Sequence, residues 1–145
     1  MRYAYPCQIV LHEGNEHVVS FPDIRGCHTS GYSRAEALEM AEDALVAALS
    51  FLVDDRKAVP VPSPVMDGQE VVTVPPVMAA KLELYSAMRD RGISKRALAK
   101  RLGLSDTTVG RLADPGHRSH IDHVMRALRA VGRDLVVEGR AVASS

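Results

Sequence analysis

The chain has 145 residues, 46% of them hydrophobic, which fits a folded protein and excludes disorder. Its formal net charge is zero, but residues 1–80 hold five basic residues against eleven acids, a balance of −6, and residues 81–145 hold thirteen against seven, a balance of +6. The longest apolar run, Ala44 to Val53 broken by Ser50, is too short to span a membrane, and two cysteines make no disulfide framework. No secretory leader is visible, so a cytoplasmic protein with reduced, buried Cys7 and Cys27 is expected. The charge split predicts two units with different partners. The basic half suits a phosphate backbone, and the acidic half repels nucleic acid and attracts a basic protein. Without Trp, two such small cores rest on Val, Leu, Ala and Met, so self-association is expected.

In chain order, Tyr3, Tyr5, Cys7, Ile9 and Leu11 alternate with period two and predict a strand. Glu13-Gly14-Asn15-Glu16 reads as a turn, His17 to Phe21 as a second strand, and Cys27 to Tyr32 as a short third. Ser33-Arg34-Ala35-Glu36 is a capping box opening a helix, in which Leu38, Ala41, Leu45, Ala48 and Leu52 recur at helical spacing. Asp54-Asp55 is expected to end it. Val59-Pro60-Val61-Pro62-Ser63-Pro64 predicts a stiff extended connector. Val71 to Val74 predicts one more strand, able to return to the sheet. The first half is therefore α+β, an antiparallel sheet with a covering helix.

Pro75-Pro76 marks the expected boundary between a unit at 1–75 and one at 76–145. The second is predicted to be a small all-α unit. A helix runs to Arg91 and stops at Gly92. Two short helices then follow, each with a serine cap (Ser94, Ser105) and an apolar pair across it (Ile93 with Leu98, Leu104 with Val109). Gly103 suits the tight turn between them. Leu98, Ala99, Leu102, Leu104, Val109 and Leu112 are assigned inward, and Lys95, Arg96, Lys100, Arg101 and Arg111 outward. Apolar spacing alone fits any helical hairpin. The small residue, glycine turn, second cap and basic outer face together point to a DNA-binding helix-turn-helix. A last helix from about Ser119 to Gly132 carries Ile121, Val124, Leu128 and Val131 on one face, before the apolar tail Leu135-Val136-Val137.

Other chemistry finds little support. His117, His120 and His123 step by three, so they drift around a helix and do not share one metal easily; no metal or cofactor is expected. Cys7 with His12 or His28 lacks a third group and an oxyanion loop. The first strand has no central carboxylate for a two-metal nuclease, and no catalytic residue is assigned.

Tyr3 to Leu11, the run Phe21-Pro22-Asp23-Ile24-Arg25-Gly26-Cys27, then Gly31-Tyr32-Ser33 and Ala35-Glu36-Ala37-Leu38 resemble the HicB antitoxin domain. The connector and the strand at 71–75 resemble it too, and the basic half resembles the Cro/repressor-type helix-turn-helix that one branch of that family carries. The resemblance implies a partial RNase H-like fold without catalytic carboxylates. It also implies a partner, a small basic HicA-like toxin that cleaves messenger RNA, and repression of a shared operon. Gly110 departs from the pattern, where such helices often carry Ser.

The site residues follow. Asp106, Thr107, Thr108 and Arg111 are expected to face base edges of operator DNA, and Ser94, Lys95, Arg96, His117 and Arg118 to contact phosphates. Asp23, Glu36, Glu39 and Asp43 are candidates for toxin contact. Leu128, Val131, Leu135 and Val137 are candidates for a homodimer contact. The alternatives are a stand-alone regulator whose first unit senses a small ligand, and a weak RNA-processing enzyme.

Overall fold

The computed structural model describes residues 3–142. Strand β1 (Ala4–Leu11) is followed by a 3-10 turn (Glu13–Asn15), β2 (His17–Ser20), β3 (His28–Gly31), the long helix α1 (Arg34–Asp54) and β4 (Glu70–Thr73). Then come α2 (Pro76–Arg91), α3 (Lys95–Leu102), α4 (Asp106–Leu112) and α5 (Ile121–Ala130). The sheet has the order β3-β2-β1-β4 and every pairing is antiparallel. The last half of β1 pairs with β2 (Ile9 opposite Val19) and its first half with β4 (Tyr5 opposite Val72), so β4 does return to the sheet. The fold is α+β, as its period-two and period-3.6 segments predict.

One face of the sheet is buried under α1. Tyr5, Cys7, Val19 and Val72 meet Ala37, Ala41, Leu45 and Leu49 of the helix. The buried row of α1 is thus a strict four-residue repeat. Leu38, Ala48 and Leu52, expected to lead that face, sit at its margin, partly buried. The reason is size: Ala37 and Ala41 let the helix close on the sheet, and Leu45 and Leu49 fill the wider end. Burying each of those leucines stabilises by roughly 1.5–3 kcal/mol. The approach is closest at Gly31, where a Cβ would lie 2.5 Å from the backbone nitrogen of Ala37 and 2.8 Å from the carbonyl carbon of Glu36. Only glycine fits there.

The proline connector is strapped to the sheet. The Tyr5 hydroxyl donates to the Pro60 carbonyl at 2.6 Å, Val59 is buried, and Ser63 donates from both its backbone N–H and its hydroxyl to Asp23, at 2.8 and 2.5 Å.

Helix α2 begins with Pro76 at its first turn and ends on left-handed Gly92. It is apolar on two sides. Met78 and Leu82 belong to the sheet's core, whereas Ala80, Leu84, Ala87 and Met88 belong to a second core with α3, α4 and α5. Leu98, Ala99, Leu102, Val109 and Leu112 are buried in that second core as expected. Leu104, assigned inward, is 36% exposed instead, because it lies in the turn between the Gly103 cap of α3 and the Ser105 cap of α4. The tail from Asp134 to Val142 forms no strand.

Candidate functional site

The α3–α4 pair is built by local chemistry. The Ser94 hydroxyl accepts from the Ala97 amide at 3.0 Å, and the Ser105 hydroxyl accepts from the Thr108 amide at 3.1 Å. Each bond satisfies one of the orphan donors of a helix start. Gly103 takes φ 67° and Leu104 N donates to Ala99 O at 3.0 Å, closing the turn. Asp106, Thr107 and Arg111 are exposed on α4, and Thr108 is half-buried, its hydroxyl 2.9 Å from that of Ser105. Ser94, Lys95, Arg96, His117 and Arg118 are all exposed. The Lys95 stem lies across α4 beside Gly110: a Cβ there would sit 3.6 Å from Lys95 Cδ, an ordinary contact. Of the other outward cations, Arg101 donates to the Ala130 carbonyl at 3.3 Å, so it ties α3 to the end of α5.

Two buried charges on α2 are absent from the sequence-based site. Lys81 is 1% exposed, and its Nζ lies 2.8 Å from Arg111 O, 3.1 Å from Asp114 O, 2.5 Å from His117 O and 2.7 Å from Ser119 Oγ. It holds the last turn of α4 and the loop that carries His117 and Arg118. Burial lowers its pKa, and the nearby charge of Asp114 opposes that shift. Glu83, also buried, accepts from the Tyr3 hydroxyl at 2.8 Å and from Arg133 Nε and Nη2 at 2.9 and 2.6 Å. Burial pushes its carboxyl up, but the bonds from Tyr3 and Arg133 outweigh it and hold the pKa below the ordinary value. The signal in the sequence is charges set among Ala80, Leu82 and Leu84, in a helix apolar on two sides.

The acidic candidates divide. Glu36, Glu39 and Asp43 are exposed on one side of α1, and Glu36 also accepts weakly from the Tyr32 amide at 3.4 Å in the helix cap. The same side exposes Met40 (41%) and Phe51 (67%). Asp23, half-buried, spends both carboxylate oxygens on Ser63. The dimer candidates divide as well. Leu128 and Val131 are 0% and 1% exposed inside the second core, Leu135 packs on its edge, and Val137 is exposed. The thiols of Cys7 and Cys27 are free and buried. Burial, with Glu70 adding and Arg34 opposing, pushes the Cys7 pKa to about 11, which keeps it unreactive.

The loop between β2 and β3 is closed by Phe21 N to Cys27 O at 3.1 Å, Ile24 N to Phe21 O at 3.2 Å and Cys27 N to Ile24 O at 3.1 Å, with Gly26 at φ 76°. A family model described as HicB-like antitoxin of bacterial toxin–antitoxin system matches residues 4–83. The chain belongs to the HicB-like antitoxin family. It is 38% identical over 133 residues to Antitoxin HicB 1 of Photorhabdus laumondii subsp. laumondii, covering 92% of this chain and 84% of that protein. It is 34% identical over 131 residues to Antitoxin HicB of Escherichia coli K12, covering 90% of this chain and 95% of that one. It is 37% identical over 124 residues to Antitoxin HicB of Pseudomonas fluorescens Pf0-1, covering 85% of each. The HicB-like match thus spans the sheet, α1, the connector, β4 and the first half of α2, and the relatives extend into the helical half.

In this HicB-like chain the Phe21-to-Cys27 motif has a structural meaning. Phe21, Ile24 and Cys27 turn inward, Gly26 takes the left-handed bend, and Asp23 fastens the connector. No helix among the described residues is long and apolar enough to cross a membrane.

Proposed function

We propose that this HicB-like chain neutralises a small basic RNA-cleaving toxin of the HicA type through its first half and represses its own operon by binding DNA through α3 and α4. The observation that carries the reading is the pairing, in one chain, of an acidic helix face in the family-matched half with a serine-capped, cation-rimmed helix pair in the other. On α1, the exposed acids Glu36, Glu39 and Asp43 lie around exposed Met40, and exposed Phe51 lies about two turns further along the helix. A basic toxin is steered there by opposite charge. Asp23 supports that surface by holding the connector.

On the other half, α4 is the recognition helix. Asp106, Thr107 and Arg111 face the major groove, Thr108 beside them holds the start of α4 through Ser105, and Ser94, Lys95, Arg96, His117 and Arg118 meet the flanking phosphates. One short helix reads few bases, so two copies bind half-sites about 34 Å apart. Val137 and the half-buried Leu135 are the surface part of the contact between copies, with Leu128 and Val131 shaping it from beneath.

The test uses the full chain. It is co-expressed with whatever small basic protein its neighbouring gene encodes, and growth and co-purification are scored. Separately, it is footprinted on DNA upstream of its own gene. Rescue with co-purification and a two-lobed footprint support the reading. A folded chain that neither protects cells nor binds that DNA overturns it.

A further inference from the structure

A cleft of about 350 Å³ lies between the end of α1, the last turn of α2 and the first turn of α3. Arg56, Arg89 and Lys95 line it, one from each element, against an apolar wall of Tyr85, Met88 and Ile93, and no carboxylate is among its lining residues. A second cleft, about 210 Å³, faces Glu83 and Asp90 as well as Arg91 and Arg133, so its charges balance. Three cations gathered without an acid repel one another, and that arrangement is relieved by an anion.

The backbone of Arg56 adds an independent observation. Arg56 N donates to Val53 O at 3.0 Å and Lys57 N to Leu52 O at 2.8 Å, the paired bonds that end many helices with a left-handed glycine. Here the left-handed position, φ 57°, is held by arginine. Local geometry favours glycine, so a side chain with a role of its own accounts for the arginine. Arg89 steadies it by donating from Nη1 to the Arg56 carbonyl at 3.0 Å, which uses one of its five N–H groups.

We propose that Arg56 and Arg89 grip the DNA backbone together with Lys95, carrying the nucleic-acid footprint from the helical half onto the end of α1. This rests on the DNA-binding reading above and adds two phosphate contacts to it, one from the half whose net charge is negative. Asp54 and Asp55 directly precede Arg56 but do not line the cleft, and Glu36, Glu39 and Asp43 lie more than three turns back along α1, so the two partners approach different places on the helix.

The experiment measures binding of the full chain to a mixed-sequence DNA duplex by fluorescence anisotropy over roughly 50 to 200 mM salt, with thermal melting in parallel. Arg56→Gly is expected to weaken binding roughly five- to tenfold near 0.1 M salt and to flatten the log–log salt slope by about one unit. The same variant is expected to melt higher, because glycine relieves the left-handed position, which separates lost contact from lost fold. Arg56→Lys keeps the slope. Arg89→Gln flattens it by about one unit, and Arg56→Gly with Arg89→Gln by about two. If both variants retain the wild-type slope while Lys95→Ala loses a unit, the proposal is overturned and the DNA-binding reading stands. If the wild-type chain shows no salt-dependent binding to duplex, that reading falls and this proposal with it.

Discussion

The ammonium of Lys81 donates to the carbonyl of His117 at 2.5 Å, across 36 residues of sequence, from within the core of the helical half. The same nitrogen serves Arg111, Asp114 and Ser119. One buried charge therefore sets the end of α4 and the loop after it. Lys81→Met keeps the length and the apolar stem but leaves those acceptors without a donor. The expected cost is roughly 3 kcal/mol, a melting temperature lower by about 10 °C. Affinity for DNA is expected to fall further than that of His117→Ala with Arg118→Ala, since the whole loop loses its seat. Calorimetry and anisotropy on the two variants check this.

Glu83 supplies a pH dependence. Its folded pKa lies below the ordinary 4.5, so below that value the unfolded chain binds its proton more readily than the folded one. Its contribution to stability is complete above 4.5 and is lost as pH falls through the folded pKa. Glu83→Gln is expected to cost about 2 kcal/mol near neutral pH. The gap between the variant and wild type narrows as the solution is acidified past 4.5. A gap that stays constant through an acid titration of chemical unfolding contradicts the assignment.

Two glycines make opposite predictions. At Gly31 a methyl group meets backbone, with Ala37 N at 2.5 Å, so Gly31→Ala must push α1 off the sheet. The expected cost is about 3 kcal/mol, with loss of soluble chain and, on the proposed reading, of toxin capture. At Gly110 the nearest atoms are the flexible Lys95 stem at 3.6 Å, and glycine inside a helix costs about 1 kcal/mol relative to alanine. Gly110→Ala is expected to raise the melting temperature by about 3 °C and leave DNA affinity in place.

Thr107 is exposed near the start of α4, whereas the hydroxyl of Thr108 is engaged with Ser105. Thr107→Ala is therefore expected to alter base preference at one position of each half-site, by about tenfold in affinity. Thr108→Ala acts mainly on the helix cap. Selection from a randomised duplex library distinguishes the two, and an unchanged preference for Thr107→Ala removes it from the reading surface.

What the sequence reveals and conceals follows from the range of each interaction. The alternation at Tyr3, Tyr5 and Cys7 and the caps at Ser33, Ser94 and Ser105 are local, and the structure reproduces them. The buried row of α1 is less legible because Leu38 and Leu52 carry more apolar surface than Ala37 and Ala41. The tightest contact with a sheet selects small residues over large ones. Asp23 reads as a surface acid because its partner, Ser63, lies 40 residues on. The roles of Lys81 and Glu83 stay out of view for the same reason: their partners Tyr3, Arg111, His117 and Arg133 are distant in sequence. Leu128 and Val131 carry the right residues for an interface, yet the chain's own second core absorbs them.

Helix α2 lends Met78 and Leu82 to one core and Leu84 and Met88 to the other. A cut at Pro75 would strip a wall from the sheet, and a cut after Arg91 would strip one from the helical bundle. Neither half can be trimmed away cleanly, so the two fail in concert. On the proposed reading, a cell that degrades this chain frees the toxin and opens the promoter in a single stroke, and each newly made copy must complete α2 before it can do either job.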